Sequence, residues 1–308
     1  MRRTVRIGTR GSALALAQSE EVRRSIERHA PDLSPELVPI RTSGDKILDE
    51  KLSEVGGKGL FVKEIEEALL DKTIDIAVHS VKDLPAVLPE GLGLIAFPPR
   101  EDARDVFLSM KYSALVALPP GATIGTSSVR RRAQLLGWRN DLKIVPLRGN
   151  VPTRVERLLA GELDAVILAA AGLRRLGLHQ RITEFVHPEI FVPAIGQGAL
   201  GIEARLDSHW GETLSFLDHA DTAIAVRAER SFLAELEGSC QVPIAAHGTV
   251  ASGRFRLRVL VASLDGHEVV RGVAEGATTH ASDIARDLAC RLLEKGGRRI
   301  LDKIYGRI

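Results

Sequence analysis

The segment Leu69-Leu70-Asp71-Lys72-Thr73-Ile74-Asp75-Ile76-Ala77-Val78 aligns without gaps on Leu158-Leu159-Ala160-Gly161-Glu162-Leu163-Asp164-Ala165-Val166-Ile167. A second correspondence precedes each copy. Arg6-Ile7-Gly8-Thr9 and Thr123-Ile124-Gly125-Thr126 both read as strand ends that run into a hydroxyl residue and a helix start. Ser12 precedes an apolar stretch at 13–18, and Ser127 and Ser128 precede a helical stretch at 129–136, in the place of an N-cap. Each half therefore has a strand, a polar helix N-terminus, a later helix and a buried-type strand. Such alternation predicts mainly parallel sheets with helices on both faces. Two similar halves predict two lobes with a cleft between them. Ligands of such folds bind beyond the strand carboxyl ends, at helix N-termini.

Further strands are predicted at 37–40, 74–78, 143–145 and 164–168, with helices at 61–70 and 155–159. The stretch 42–59 is polar, carries Gly44, Gly56, Gly57 and Gly59, and has no periodicity. A loop of that length is functional or disordered. Residues 98–102 read as a linker between the lobes and 191–198 as the return crossing. A third unit follows, with a long helix at 222–236, an alternating strand at 254–263 and a closing helix at 282–293. The expected division is a first α/β lobe from 1–98 with 199–217, a second from 99–198, and a small α+β domain from 218–308.

Hydrophobic residues make up 44% of the chain and charged residues 27%, a soluble globular profile with ample core. No apolar run approaches the ~20 residues of a membrane span. The basic start, Met1-Arg2-Arg3-Thr4-Val5, runs straight into a strand-like segment, so no export signal is read. A net charge of +2 argues against general nucleic-acid binding. No His/Cys/Asp/Glu spacing resembles a metal site. The two cysteines lie in unlike contexts, which fits a reducing cytoplasm better than a disulfide framework. Cys290 lies among apolar residues. Cys240 lies in Glu237-Gly238-Ser239-Cys240-Gln241-Val242-Pro243, a turn-rich stretch after a helix, where a thiol is a candidate nucleophile or covalent anchor.

The positive charge is 32 Arg against 10 Lys, and its placement carries more weight than its amount. Arg130, Arg131 and Arg132 follow Thr126, Ser127 and Ser128 at a helix start, where backbone N–H groups bind anions. The same residues also fit an N-cap followed by a solvated basic face. Arg148 and Arg154 follow the strand at 143–145, Arg10 and Ser12 hold the matching place in the first half, and Arg174 and Arg175 follow the strand at 164–168. Arginines at several strand ends point to one polyanionic ligand, a polycarboxylate or a phosphate ester. His79-Ser80-Val81-Lys82-Asp83-Leu84-Pro85 also follows a buried strand. Asp83 is either an ion-pair partner of Lys82 or a carboxylate that stabilises transient cationic charge and shuttles a proton. His79 reads as a buried structural histidine.

Seven ordered motifs together resemble the porphobilinogen deaminase family, also called hydroxymethylbilane synthase. They are Arg10-Gly11-Ser12, Gly56-Gly57-Lys58-Gly59-Leu60-Phe61-Val62-Lys63-Glu64, the stretch His79 to Pro85, Gly125-Thr126-Ser127-Ser128-Val129-Arg130-Arg131, Leu147-Arg148-Gly149-Asn150-Val151, Pro193-Ala194-Ile195-Gly196-Gln197-Gly198, and Leu236 to Pro243. The resemblance implies an α/β fold: two doubly wound lobes resembling periplasmic binding proteins, plus a small α+β C-terminal domain. It implies a monomeric cytoplasmic transferase of tetrapyrrole biosynthesis, with a dipyrromethane cofactor joined by a thioether to Cys240. Four porphobilinogen units are added in turn, each losing ammonia, before hydrolysis releases the linear tetrapyrrole. Asp83 would contact the pyrrole nitrogens and handle protons, as a buried carboxylate facing cationic charge. Arg10, Lys82, Arg130, Arg131, Arg148, Arg154 and Arg175 would grip the acetate and propionate groups, helped by Ser12, Thr126 and Ser128. Lys58 would lie in a mobile lid and Phe61 near the growing chain. Glu54 stands where some members carry lysine, so no contact is assigned to it.

Two rival classes share parts of this pattern. A non-catalytic two-lobed receptor for small anions would have the same layout but needs neither the thiol loop nor the Lys82–Asp83 pair. A thiol enzyme with Cys240 as an ordinary nucleophile would need a base, and His247 is the candidate nearby in sequence.

Overall fold

The computed structural model describes residues 2–43, 62–237 and 242–307. In chain order the strands are β1 (Arg3–Arg10), β2 (Leu33–Ile40), β3 (Ile76–Ser80), β4 (Leu92–Ala96), β5 (Asp105–Leu108), β6 (Thr123–Gly125), β7 (Lys143–Val145), β8 (Ala165–Ala169), β9 (Glu184–Phe185), β10 (Leu200–Arg205), β11 (Ile244–Ala251), β12 (Arg254–Ala262) and β13 (Val269–Ala277). The helices are α1 (Ala13–His29), α2 (Lys63–Leu70), α3 (Val129–Trp138), α4 (Val151–Leu159), α5 (Ala170–Arg175), α6 (Trp210–Thr213), α7 (Ala220–Glu235), α8 (Ala281–Leu292) and α9 (Arg298–Tyr305). The chain forms two compact units, Met1–Glu101 with Ala199–Ala223, and Asp102–Gly198 with Ile224–Ile308.

The first unit is built on a five-stranded sheet of order β2-β1-β3-β10-β4, with β1 parallel to both β2 and β3. Strand β10 runs antiparallel to β3 and β4. Helices cover both faces. Val22 and Ile26 of α1 pack with Val5, Ile7, Ile76, Val78 and Ile202 on one face, and Ile65 and Leu69 of α2 pack with Ile74, Ala77 and Leu92 on the other. Strand β3 is buried on both faces, which is why Ile76, Ala77 and Val78 are apolar in succession with no alternation. Ser12 caps α1 by accepting from the Ala15 N–H at 3.3 Å, and Arg28 and His29 in its last turn complement the helix dipole.

The second unit repeats the plan in a sheet of order β7-β6-β8-β5-β9. Its parallel pairs are β6 with β7 and β8, and its antiparallel insertion is β5. The internal alignment survives in three dimensions: β3 and β8 occupy the same place, as do α2 and α4. The shared glycines have a shared cause. A Cβ on Gly8 would lie 2.3 Å from Ile74 Cδ1, and one on Gly125 2.6 Å from Leu163 Cδ1. These are the same partner position in the two copies, so in each the glycine lets that side chain lie directly over the strand, and a larger residue would displace it. The same unit holds the antiparallel sheet β11-β12-β13, which α8 covers.

The expectation of mainly parallel sheets needs one correction. Each five-stranded sheet is mixed, because β10 and β5 enter antiparallel beside the central strand. Both follow segments expected to be links alone. The chain crosses at 97–104 and 193–199 and then forms a strand within a few residues of each crossing.

Candidate active site

In the first unit the motif residues gather at the carboxyl ends of β1 and β3, which are adjacent parallel strands. Arg10 closes β1, and Ser12 caps the helix that follows. After Ser80 the chain makes the 3₁₀ turn Val81–Asp83. Val81 and Leu84 are buried at 1% and 2% exposure, and the Val81 N–H donates to the Ala199 carbonyl at 3.1 Å. Gln18 of α1 donates to Ser80 Oγ at 2.7 Å, fixing the strand end from the other side. With both flanking apolar residues anchored inward, Lys82 is half-buried and Asp83 is exposed. The expected burial of Asp83 is therefore corrected: its carboxylate stands at the surface of this unit, on a turn fixed at both ends.

In the second unit the corresponding strand ends carry the hydroxyl cluster. Ser128 caps α3, accepting from the Arg131 N–H at 3.4 Å, and Thr126 Oγ1 accepts from the Ser128 N–H at 3.2 Å. Ser127 exchanges two hydrogen bonds with Leu147, Oγ to carbonyl and N–H to Oγ, both 3.0 Å. That staple sets Arg148 beside the start of α3. Asn150 caps α4 by accepting from the Thr153 N–H and hydroxyl at 2.9 Å, and Gly149 takes φ +102° to make the turn. Arg154 Nε donates back to the Gly149 carbonyl at 2.8 Å. Arg175 donates to the Gly198 carbonyl at 3.3 Å.

Arg130 and Arg131 are not on a solvated face. They are 5% and 6% exposed, and both converge on Asp105, which is fully buried. Arg130 donates to Asp105 Oδ2 at 2.7 Å and Oδ1 at 3.1 Å, and Arg131 Nε to Oδ1 at 2.9 Å. Gln197 adds a donor to Oδ1 at 3.1 Å. Burial alone would push the Asp105 carboxyl up, but the two guanidinium charges outweigh it and hold it well below the usual carboxylate range. Burial pulls the Arg131 guanidinium down against the Asp105 attraction. One carboxylate against two guanidiniums leaves this centre with positive charge in excess.

The sequence reading singled out neither Asp105 nor Glu229. Glu229 of α7 is fully buried and accepts from the Gly196 N–H at 2.6 Å and the Gly248 N–H at 2.7 Å, so it ties the 193–198 loop to β11. A charged residue heading the apolar run Val106-Phe107-Leu108, and one inside an alanine-rich helix, were the available signals. Cys290 proves exposed, in contrast to its apolar sequence surroundings; its Sγ lies 3.8 Å from Glu235 Oε1. Desolvation and then the Glu235 charge raise its thiol, which makes it a poor nucleophile. His247 lies on β11, paired with Arg258 of β12. Cys240, Lys58, Phe61 and Glu54 lie outside the described residues.

Two family models match the chain: porphobilinogen deaminase, dipyromethane cofactor binding domain, over residues 5–212, and porphobilinogen deaminase, C-terminal domain, over residues 223–294. A curated porphobilinogen deaminase from Pelobacter propionicus is 54% identical over 99% of this chain and 98% of its own. One from Syntrophobacter fumaroxidans is 52% identical over 98% of each. The chain belongs to the porphobilinogen deaminase family. It carries both of the family's domains, including the one that binds the dipyrromethane cofactor. A solved periplasmic substrate-binding protein from Coxiella burnetii aligns at TM-score 0.43 and 17% identity, covering 69% of this chain and 91% of that one. The fold class itself rests on the strand orders above.

The donor set fits the porphobilinogen deaminase cofactor. A dipyrromethane carries an acetate and a propionate on each ring, and each unit by itself has cations and hydroxyls suited to carboxylates: Arg10, Ser12 and Lys82 lie at or just after strand ends of the first, and Thr126, Ser128 and Arg148 after strand ends of the second, with Arg154 on α4 and Arg175 closing α5. Among the described residues no group of three or more His, Cys, Asp or Glu could hold a metal ion, and no helix is long and apolar enough to cross a membrane.

Proposed function

We propose that the chain joins four porphobilinogen units in turn onto a dipyrromethane primer held as a thioether by Cys240, and then releases hydroxymethylbilane by hydrolysis. The observation that carries this reading is relatedness above half identity along nearly the whole length of the chain and of its relative. When bound, the dipyrromethane would supply a terminal pyrrole whose free α-carbon accepts the first unit, and each added ring then offers its own free α-carbon to the next. Every addition forms one carbon–carbon bond, expels one ammonia from the incoming aminomethyl group, and sheds the α-proton of the accepting ring.

The chain's own residues divide that work. The Asp83 carboxylate, open on its fixed turn, faces the positive charge that develops on the pyrrole nitrogen as ammonia leaves, and it takes and returns a proton. Charge-assisted contacts from Arg10 and Lys82, with Ser12, hold side-chain carboxylates near that turn. Arg148, Arg154 and Arg175, with Thr126 and Ser128, hold others. Arg130 and Arg131 act together with Asp105, as a buried centre of excess positive charge behind the α3 N-terminus. Lys58 and Phe61 complete the set as lid and aromatic contact. The working divisions are 1–98 with 199–217, 99–198 and 218–308; the separate sheet β11-β12-β13 supports the third. The enzyme acts as a cytoplasmic monomer without metal or nucleic acid.

The test is turnover of porphobilinogen by Asp83→Asn. Because Asp83 is exposed, its amide should leave the unfolding midpoint unchanged while kcat drops at least a hundredfold, within the ~10²–10⁴ expected of a proton-handling group. Retained activity above a few per cent would contradict the role.

A further inference from the structure

Three ionisable side chains lie inside the first unit, on the α2 face of its sheet, and the reaction as described does not use them. Glu66 of α2 is 8% exposed, His79 of β3 is 6% and Glu203 of β10 is 0%. His79 stands opposite Gly201 and Glu203 opposite Ala77, so both project from the same face of adjacent strands. His79 Nε2 lies 2.8 Å from Glu203 Oε2. The contact is close enough for an ion pair yet poorly aligned for a hydrogen bond; among the described residues neither oxygen of Glu203 nor Glu66 Oε1 accepts one. Burying carboxylates with so few donors is costly.

The second unit shows that the fold does not require this. The internal alignment places Val155 where Glu66 stands and Leu168 where His79 stands. Glu203 faces Ala77, and Leu108 faces Val166, the residue equivalent to Ala77. The three counterparts Leu108, Val155 and Leu168 are all buried in one apolar cluster. The same architecture is thus closed by hydrocarbon in one copy and by a histidine and two carboxylates in the other. The polar copy lies under the Lys82–Asp83 turn: His79 is the last buried residue of β3 before Ser80, and Gly201, its cross-strand neighbour, is packed so closely that an added Cβ would lie 3.2 Å from Val81 of that turn.

We propose that Glu66, His79 and Glu203 act as one buried ionisable unit that holds the ends of β3 and β10 and thereby positions the Lys82–Asp83 turn for the reaction. This rests on the role given to Asp83 above. The three are positioning residues. Other charged groups near this face are engaged elsewhere or adjoin it. Arg6 of β1 binds Asp75, Arg205 of β10 donates to the Leu69 and Ile74 carbonyls, and Glu64 of α2 accepts from Ser43. Arg10 stands two residues beyond Gly8, as His79 stands two beyond Ala77, its partner in the pairing.

The unit also ties the turn to pH. Burial first, and then the Glu203 charge, push the Glu66 carboxyl up to about 7, against the pull of His79. In the unfolded chain Glu66 ionises near its ordinary 4.5, while the native state keeps the proton until about 7. The native state binds more protons across that window, so Glu66 makes stability fall as pH rises from 4.5 toward 7.

Two variants test the proposal. Glu66→Val/His79→Leu/Glu203→Leu copies the apolar counterparts of the second unit. It should fold with a thermal midpoint at neutral pH no lower than the parent's and keep the mass of the bound cofactor, yet lose at least tenfold in kcat with KM changed less than twofold. A folded triple variant with unchanged kcat overturns the positioning role, and one that cannot fold overturns the argument from the repeat. Glu66→Gln keeps the shape and removes the titration. Its thermal midpoint should vary less than the parent's between pH 4.5 and 7.5, and its kcat–pH profile should lose the limb near 7. Curves that superimpose on the parent's for both measurements overturn the proposal whatever the triple variant does. The midpoint curve needs no substrate, so a parent inactive on porphobilinogen with a flattened Glu66→Gln curve would sink the reaction and leave the buried unit standing.

Discussion

Asp105→Asn is the most informative single change to the second unit. It keeps the side-chain shape but replaces a fully buried carboxylate, held by Arg130, Arg131 and Gln197, with a neutral amide. Two guanidiniums, each about 5% exposed, then lose the only carboxylate that pairs with them among the described residues. Removing one partner of a buried ion pair costs about 3–5 kcal/mol, because a buried charge is left uncompensated. The chain has two compact units, and the effect is expected in the one that holds Asp105. Native-state hydrogen exchange separates them. At about 1.4 kcal/mol per decade, the slowest amides of β5 and β8 should exchange roughly a hundred- to several-thousandfold faster in the variant. Amides of β1 and β3 in the other unit serve as the internal control. The pH dependence has a definite sign. The native Asp105 carboxyl lies below its ordinary 3.8, so its stabilisation is fully present above that value and is lost as pH falls toward the native one. Parent and variant should therefore converge in strongly acid solution. A change in β5 and β8 protection below about fivefold at neutral pH would refute the reasoning, because it would mean that Asp105 does not compensate the arginines.

Two other substitutions probe neighbouring claims. Gly125→Ala places a Cβ 2.6 Å from Leu163 Cδ1 and 2.9 Å from Leu147 Cδ2; urea unfolding should show a loss of about 1–3 kcal/mol, typical of an overpacked core, and a neutral effect would contradict the close-approach argument. Arg148→Ala should impair cofactor assembly or chain extension, read as incomplete primer mass or stalled intermediates, without a matching loss of thermal stability. Normal kinetics would count against the carboxylate clamp.

The repeated half-domains were legible because their signal is local. A buried strand end, a glycine and a capping hydroxyl recur at fixed spacing, and β1, β3, β6, β7, β8, α1, α3 and α4 all lie where that pattern places them. The return strands β5 and β10 were not legible. Each is short, begins just after a crossing segment, and β10 carries Glu203 inside its apolar run, which breaks the pattern a buried strand normally shows. Strand β13 was missed for the opposite reason: it alternates between half-buried and exposed residues and contains Gly272 and Gly276, so its sequence reads as a loop.

The site divides in the same way. Sequence placed Arg130 and Arg131 correctly at a helix start beside a strand end. It could not show that Asp105, on a strand not foreseen, would draw both guanidiniums inward. Ser12, Ser128 and Asn150 are helix caps as their spacing foretold for the serines, so their side-chain oxygens already accept backbone N–H groups. Asp83 was expected inside and lies outside, because Val81 and Leu84 take the inward positions of its turn.

The central claim is that the chain extends a polypyrrole on a primer anchored at Cys240. The mass of the intact native protein tests it most directly. The account predicts an excess over the sequence mass equal to two condensed pyrrole units, which shifts upward in unit steps on brief exposure to porphobilinogen and is absent from Cys240→Ser. A native protein at its sequence mass that still turned over porphobilinogen would contradict it.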